Sequence, residues 1–467
     1  MTEPDPRNAA LRALPSVDRF LGSEVLAEIS DRYPRASLKR AVRTVLDGLR
    51  GSILAGDRTD APDDTVLAGL VVDALEGGVA RGLRRVINAT GVVAHTGLGR
   101  SVLPEDARRA LWEETKSYCM LAIDRETTER ADRHRFCEEL ITEITGAEAA
   151  CVTNNNAAAT LLMLHTWAKD REVIIARGQL VEIGGSFRIP DILRLGGARL
   201  VEVGCTNKVH LSDYEAAITD ETGLLMRVHT SNYRIEGFAQ EVPIARIASL
   251  GRERGIPVVD DLGAGAFLDL GPFGFPEEPV VMDSVRAGAN MISMSADKLI
   301  GGPQGGIILG TKEHIHAIQK NQLYRAFRVG KLTLIALEAT LRYFLDRRRA
   351  LEEHPTTRML TRPLDEIEAE ARALADGLAG IPGVRATTIP AHSESGSGSY
   401  PGHPIPTFVA ALAVDGIAPD DLSLRLRRRP IAVFTRVKEG RVRLDPRTMQ
   451  DGEIAEAVEA VREIVAG

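Results

Sequence analysis

A lysine in a glycine-rich turn behind an apolar strand is a candidate nucleophile, and SMSADKLIGGPQGGIILG (293–310) contains one. Lys298 follows Ser295 by three residues and precedes Gly301–Gly302 and Gly305–Gly306. An amine held partly out of water gives up its proton more readily and can condense with a carbonyl as a Schiff base. The hydroxyl of a Ser–x–x–Lys pattern could bind a phosphate, and the glycines would let backbone pass close to a planar cofactor. Alone, the segment is equally compatible with a surface lysine in a flexible loop.

Two further segments sharpen the reading. In VTNNNAAATLL (152–162) a strand ends in three asparagines that lead into an alanine-rich helix. First-turn N–H groups and side-chain amides then converge on one point, an anion site of the helix-terminus kind. Capping needs only one asparagine, so the triplet favours phosphate binding over an ordinary N-cap. No GxxxxGK[ST] loop is present. In IPVVDDLGAGAF (256–267) a buried strand ends in two aspartates. A carboxylate there could keep a pyridinium nitrogen protonated and the ring electron-poor. An isolated Asp is more often a cap or a loop ion pair. The order of anion cup, acid and Ser–x–x–Lys lifts the functional reading, because open α/β sheets bind ligands at the carboxyl ends of their strands.

The elements that must position these residues fall into three regions. Residues 1–81 read as helical: Ser37 is a plausible N-cap after Pro34, and Leu38, Val42, Val45 and Leu49 form one apolar stripe. Arg32, Arg35, Lys39, Arg40, Arg43 and Arg50 crowd the same stretch. They form either a solvated helix face, the commoner case, or a surface for phosphate backbone. GDRTDAPDD (56–64) reads as a linker, followed by a short helix through Val71 and Leu75. Residues 82–345 alternate helices with the runs Ala149–Thr153, Glu172–Ala176, Arg199–Val203, Leu224–His229, Ile256–Asp260, Asn290–Met294 and Gly306–Leu309. Runs apolar on both faces predict a mostly parallel, seven-stranded sheet covered by helices, an α/β fold. Residues 346–467 read as a small α+β domain, closing on a helix with Ile454, Val458, Val461 and Val465 on one face. HSESGSGSYPGHP (392–404) reads as a mobile loop.

Composition adds mainly exclusions. The 467 residues are 44% hydrophobic and 26% charged, ordinary for a globular protein. No apolar run approaches the roughly 20 residues that span a membrane. The opening MTEPDPRNAALRALP lacks the apolar segment of a secretory signal. Cys119, Cys137, Cys151 and Cys205 show no metal-ligand or disulfide spacing, so no metal is expected and the cytoplasm is the expected compartment. A net charge of −7 argues against a protein basic all over, yet a local basic face could still meet nucleic acid.

Taken together with LRALPSVDRFL (11–21), INATGVVAHTGLGR (87–100), RGQLVEIGGSFRIPDI (177–192), GLLMRVHTSNYRIEGF (223–238) and LYRAFRVGK (323–331), these motifs resemble the bacterial selenocysteine synthases, the L-seryl-tRNA(Sec) selenium transferases. The resemblance runs almost end to end. It implies the aspartate-aminotransferase fold (fold type I) and pyridoxal 5'-phosphate (PLP) carried by Lys298. Asp261 would serve the pyridine nitrogen, with Asp260 as the alternative. Asn155, Asn156 and Ser295 would hold the cofactor phosphate, and Ser231 and Asn232 would lie near the ring's 3-oxygen. The implied reaction takes water from seryl-tRNA(Sec), leaving an aminoacrylyl group, and adds selenium from selenophosphate. Arg100, Arg325 and Arg328 are the candidates for the donor, since a guanidinium fork fits phosphate oxygens. The tRNA ester leaves no free carboxylate to bind. The resemblance further implies tRNA binding by residues 1–81 and a homo-oligomer of dimers assembled into a larger ring. Departures from the family pattern are TTERADR (127–133), which keeps Arg130 and Arg133 but lacks two glycines, together with Gly97 and Cys205. The competing expectation is a PLP lyase acting on a small amino acid or amino-sugar phosphate, which has no use for the N-terminal helices; a scaffold that has lost its chemistry is disfavoured by Lys298 and Asp261.

Overall fold

The computed structural model describes residues 6–30, 32–56, 58, 60–78, 82–185, 187–276, 278–396 and 398–466. They form two compact units, Met1–Arg85 and Val86–Gly467.

The first unit is helical. Its longest helices, Arg35–Ala55 and Asp64–Gly78, share a core of Phe20, Leu26, Leu38, Val42, Leu46, Ile53, Leu67, Val71 and Leu75. The first of these begins before Ser37, with Pro34 in the cap position and no side chain capping it. Proline's fixed φ and missing N–H cost nothing at a helix start, so the helix extends back to it. Gly56, left-handed at φ 86°, ends the same helix. Arg32, Arg35, Lys39, Arg40 and Arg43 are exposed; Lys39 stands 3.7 Å from Asp18.

The second unit is built on a seven-stranded sheet. From edge to edge the strands are Ala149–Thr153, Gly306–Gly310, Met291–Ser295, Val258–Gly263, Thr222–Val228, Glu172–Ala176 and Arg199–Val203. Gly306–Gly310 is antiparallel to both neighbours and the remaining pairs are parallel. Alternation sends Val152, Ile174, Leu225, Val258 and Ile292 into one core and Cys151, Val173, Leu224, Val259 and Met291 into the other. Both faces are covered, which is why the strands read as unbroken apolar runs. One strand boundary bears on the site. Pro257 lacks an N–H, so the ladder starts at Val258 and runs past both aspartates to Gly263.

A second, five-stranded sheet runs Arg436–Lys438, Arg441–Leu444, Ile405–Val414, Val384–Gly396 and Val92–Ala94. Its last strand comes from early in the chain, and Val86–Asn88 likewise pairs with Ala432–Phe434. Val92–Ala94, grouped by sequence with the large sheet, is therefore a strand of the smaller one, and Val86–Asn88 forms a separate two-stranded sheet with Ala432–Phe434. Val384–Gly396 also runs well into the stretch expected to be a mobile loop. Ser393 donates to Asp445 at 2.7 Å, and Ser393, Ser395, Ser399 and Tyr400 are buried. Buried hydrogen bonding, invisible in a Ser/Gly composition, fixes that segment. Among the described residues no helix is long and apolar enough to cross a membrane, and no group of three or more His, Cys, Asp or Glu could hold a metal.

Candidate active site

Lys298 follows directly on the strand Met291–Ser295, in a turn that closes when Gly301 N–H donates to the Lys298 carbonyl at 3.0 Å. It lines a cavity of about 400 Å³ together with Arg100, Asn155, Asn156, His229, Asn232, Asp261, Ser295 and Gly398. Lys298 is only 6% exposed. Burial, and then the positive charge of Arg100, hold its pKa below the usual lysine value. That environment frees an amine to act as nucleophile and base. Arg100 reaches the turn by donating to Asp297 at 2.7 Å, and the Ser101 hydroxyl donates to the Asp297 carbonyl at 2.7 Å.

The two adjacent aspartates have different fates because successive residues of a strand face opposite ways. Asp260 is completely buried away from the cavity; Arg227 donates to it twice, at 2.7 Å each, and Ser284 once at 2.6 Å. Asp261 lines the cavity and accepts from Asn156 at 2.8 Å, Thr160 at 2.9 Å and Gly263 N–H at 3.1 Å. Burial raises its pKa above the ordinary carboxylate value, against those hydrogen bonds.

The asparagines are more committed than their sequence suggested. Asn155 caps the helix Asn156–Trp167 by accepting from Ala158 N–H at 2.8 Å. Asn156 spends its amide N–H on Asp261, while its Oδ1 is buried without a partner. The helix N-terminus and Ser295 still face the same cavity. Ser231 is completely buried with an unpartnered hydroxyl. Asn232 lines the cavity and donates to the Glu182 carbonyl at 2.7 Å.

The glycines after Lys298 answer to packing, contrary to their expected approach to a cofactor. A Cβ on Gly301 would lie 2.3 Å from the His354 ring and 2.5 Å from the Thr356 hydroxyl; one on Gly306 would lie 2.2 Å from the Asn155 carbonyl oxygen. The glycine that does face the lysine is Gly398, from the supposed mobile loop. A Cβ there would sit 3.2 Å from Lys298 Nζ and 3.3 Å from Ser231 Oγ, and its φ is +64°. A Gly398→Ala substitution is expected to add roughly 1–2 kcal/mol of backbone strain and to crowd the amine. PLP affinity should fall about tenfold or more by that conversion, which absorbance titration of cofactor-free protein checks.

Arg325 and Arg328 do not reach this cavity within one chain. With Arg130, Arg133 and Lys320 they line a separate pocket of about 280 Å³ that also contains Asp132 and the buried His134. Burial and the neighbouring Arg328 and Arg130 charges lower the Arg133 pKa despite nearby Asp132, as expected for crowded cations. Cys205 is exposed and lines neither space.

The lysine cavity suits pyridoxal phosphate. It offers a buried amine for an aldehyde, a buried carboxylate for a ring nitrogen, a helix N-terminus with a serine for a phosphate, and an orphaned polar atom, Asn156 Oδ1; Ser231 Oγ, also unpartnered, is buried just behind the lining glycines Gly263 and Gly398. Sequence reasoning missed Thr160, Gly398 and His229. Only His229, the first residue of the HTSN strand end, carried a local signal.

Residues 86–450 match the family described as "L-seryl-tRNA selenium transferase", and residues 11–50 match "Selenocysteine synthase N terminal". A relative from Geobacter sulfurreducens, "L-seryl-tRNA(Sec) selenium transferase", is 45% identical over 456 residues, covering 97% of this chain and 99% of its own. One of the same name from Alkaliphilus oremlandii is 40% identical, covering 97% of this chain and 98% of its own. Among solved structures, "D-Glucosaminate-6-phosphate Ammonia-lyase" superposes with a TM-score of 0.57 at 23% identity, covering 84% of this chain and 98% of that one, a likeness of fold.

Proposed function

We infer the activity of this chain from the family it belongs to, the L-seryl-tRNA selenium transferases. It is a PLP enzyme that converts L-seryl-tRNA(Sec) to L-selenocysteinyl-tRNA(Sec). The observation that carries this reading is the near-complete mutual coverage at 45% identity, joined to a cavity in which Lys298 and Asp261 meet. When bound, PLP supplies an aldehyde for the seryl amine and a ring that absorbs negative charge.

The residues divide the work. Lys298 Nζ carries the cofactor and then takes the proton from Cα, which its depressed pKa permits. Asp261 would serve the ring nitrogen of a bound cofactor, and Asn156 and Thr160 hold that carboxylate still. The helix N-terminus at Asn155–Asn156 and the Ser295 hydroxyl take the phosphate. Ser231 and Asn232 stand for the ring's 3-oxygen. Arg447, in the 3-10 turn Pro446–Thr448 that follows the strand Arg441–Leu444, is buried and donates to the Met359 carbonyl at 2.8 Å and Ser393 at 3.1 Å. It is thus spent on structure. The lone cavity-lining arginine, Arg100, is paired with Asp297. A substrate whose carboxyl is already an ester needs no further arginine.

Selenophosphate is the selenium donor in this reading, held by Arg100, Arg325 and Arg328. The latter two lie in the second pocket, so the donor site is completed by a neighbouring copy in a homo-oligomer of dimers. Trp112, Tyr118, Met120 and Ile123, all exposed on one stretch of chain, support such an assembly. The larger ring rests on family resemblance, and the cytoplasmic location on the lack of disulfide spacing among the four cysteines. A PLP lyase acting on a small amino acid or amino-sugar phosphate is not favoured, since residues 11–50 of the N-terminal helical unit have their own family match.

The direct test mixes PLP-loaded protein, seryl-tRNA(Sec) and selenophosphate and looks for selenocysteinyl-tRNA. Its absence with a competent tRNA refutes the reading. The proposed tRNA-binding domain is residues 1–81, with 82–345 and 346–467 as catalytic and small domains. Reversing two of its exposed charges (Arg40→Glu with Arg43→Glu) should weaken tRNA binding about tenfold or more at moderate salt and flatten its salt dependence. PLP content should not change. Filter binding at two salt concentrations checks it.

A further inference from the structure

At the wall of the cavity stands a second titratable pair that the roles above leave idle, His229 lining the space and Glu278 behind it. His229 Nε2 lies 3.3 Å from Glu278 Oε1. His229 is the first residue beyond the strand Thr222–Val228, and its N–H donates to the Asp261 carbonyl at 2.8 Å, which fixes its backbone beside the cavity carboxylate. Its side chain is 20% exposed and lines the Lys298 cavity. Glu278 arrives on the segment before the helix Val281–Ala287. A bridge from Ala266 to Val280, with Val281 N–H donating to the Ala266 carbonyl at 3.0 Å, ties that segment to the end of the Asp261 strand. The Glu278 side chain is only 6% exposed, and its Oε1 and His229 Nε2 are both buried with no hydrogen bond to any described residue, so each is the other's nearest charged neighbour without an aligned bond between them. A buried carboxylate this close to an imidazole biases the ring toward itself and offsets its charge when it is protonated. Since Nε2 is turned to Glu278, Nδ1 is left for a ligand.

Loss of water from a seryl group needs two proton movements at different atoms. Lys298 Nζ receives the proton from Cα. The Cβ–O bond then breaks with its electron pair moving to oxygen, and hydroxide is too basic to depart unaided.

We propose that His229 is the acid that protonates the departing seryl hydroxyl, and that Glu278 is the positioning residue that holds it. The assignment rests on the seryl-tRNA reading and adds the group that reading lacks. The C–H pair becomes the Cα–Cβ double bond, the oxygen takes the Nδ1 proton and leaves as water, and the proton on Lys298 returns through solvent to the imidazole. Nothing is oxidised or reduced.

Isotope exchange separates the two movements. Full-length, PLP-loaded protein is incubated with seryl-tRNA(Sec) in D2O without selenium donor. Deuterium at Cα of recovered serine reports the first movement, and trapping of the dehydrated aminoacyl group by a thiol reports the second. For H229N the expected result is Cα exchange within about threefold of wild type, with dehydration down roughly 10²–10³-fold. E278Q, nearly isosteric and the safer fold, should show the same split at about tenfold. In both, PLP absorbance and tRNA affinity should match wild type. Dehydration at the wild-type rate in either variant, or exchange and dehydration falling together, overturns the assignment; in the first case Lys298 serves both atoms. If wild-type protein shows neither movement, the seryl-tRNA reading fails instead.

Discussion

Lys298→Ala protein is expected to be colourless after dialysis and to form no selenocysteinyl-tRNA, with turnover lower by about 10²–10⁴-fold from lost acid–base chemistry alone. The wild-type protein should be yellow, and borohydride should abolish its visible band by fixing the cofactor to the peptide that carries residue 298. The size of the effect follows from the setting of the amine. It is buried, its pKa is depressed by that burial and by Arg100, and cavity space opens beside it rather than bulk water. Lysine occurs at no other position among the residues lining this cavity, so no neighbour can replace it. Thermal stability should change little or rise, because alanine removes a charge from a dry place while leaving the Arg100–Asp297 pair intact. A yellow, borohydride-sensitive Lys298→Ala protein would remove the lysine from its role.

The same geometry explains which parts of the site could be read from sequence. Lys298, Asp261, Ser295 and the asparagine triplet each lie in a segment where an apolar strand gives way to a turn or helix. In a parallel sheet such ends converge at one edge, so order along the chain becomes proximity in space. Gly398 carries no such signal. It arrives from the small sheet, across a separation of 100 residues from Lys298, and only packing between sheets brings it to the amine. The glycines after Lys298 misled for a related reason: their partners His354, Thr356 and Asn155 are distant in sequence. Arg325 lies in the short helix Gln322–Ala326 and Arg328 just beyond its end, bridged to Thr153, with Tyr324 and Phe327 packed on the second core; sequence could not say which cavity the two arginines would enter. The long fold elements were legible because burial on two faces leaves continuous apolar runs. Their ends were less so, since proline, caps and single hydrogen bonds decide them.

The choice between neighbouring aspartates depends on such an end, and substitution at each should give opposite phenotypes. Asp260→Asn leaves Arg227 buried against a neutral amide that cannot accept two charged hydrogen bonds. Loss of one partner of a buried pair costs about 3–5 kcal/mol, so this variant should express poorly and melt early. Asp261→Asn is nearly isosteric, and its surroundings can adapt. The amide oxygen can still accept from Asn156 and Gly263, while the new N–H₂ can donate to the Thr160 hydroxyl, which already has the Asn156 carbonyl as an alternative acceptor at 3.0 Å. Stability should even improve in cofactor-free protein. Burial raises the Asp261 pKa above 3.8, so the unfolded chain ionises first. The stability contributed by the protonated acid is complete below the unfolded pKa and is lost as pH rises through the folded one. D261N removes that loss, and at neutral pH its cofactor-free form should melt at or above wild type. Activity should move the other way. Without an anion facing the ring nitrogen, charge leaving Cα has a poorer sink, and turnover should drop roughly 10²–10³-fold, as for other preorganised electrostatic groups. The protein should nevertheless be yellow, since Lys298 is untouched. Melting curves with and without PLP, beside single-turnover assays of both variants, measure all of this. A stable, inactive Asp260→Asn and an unstable Asp261→Asn would exchange the two roles and place the ring nitrogen on the other side of the strand.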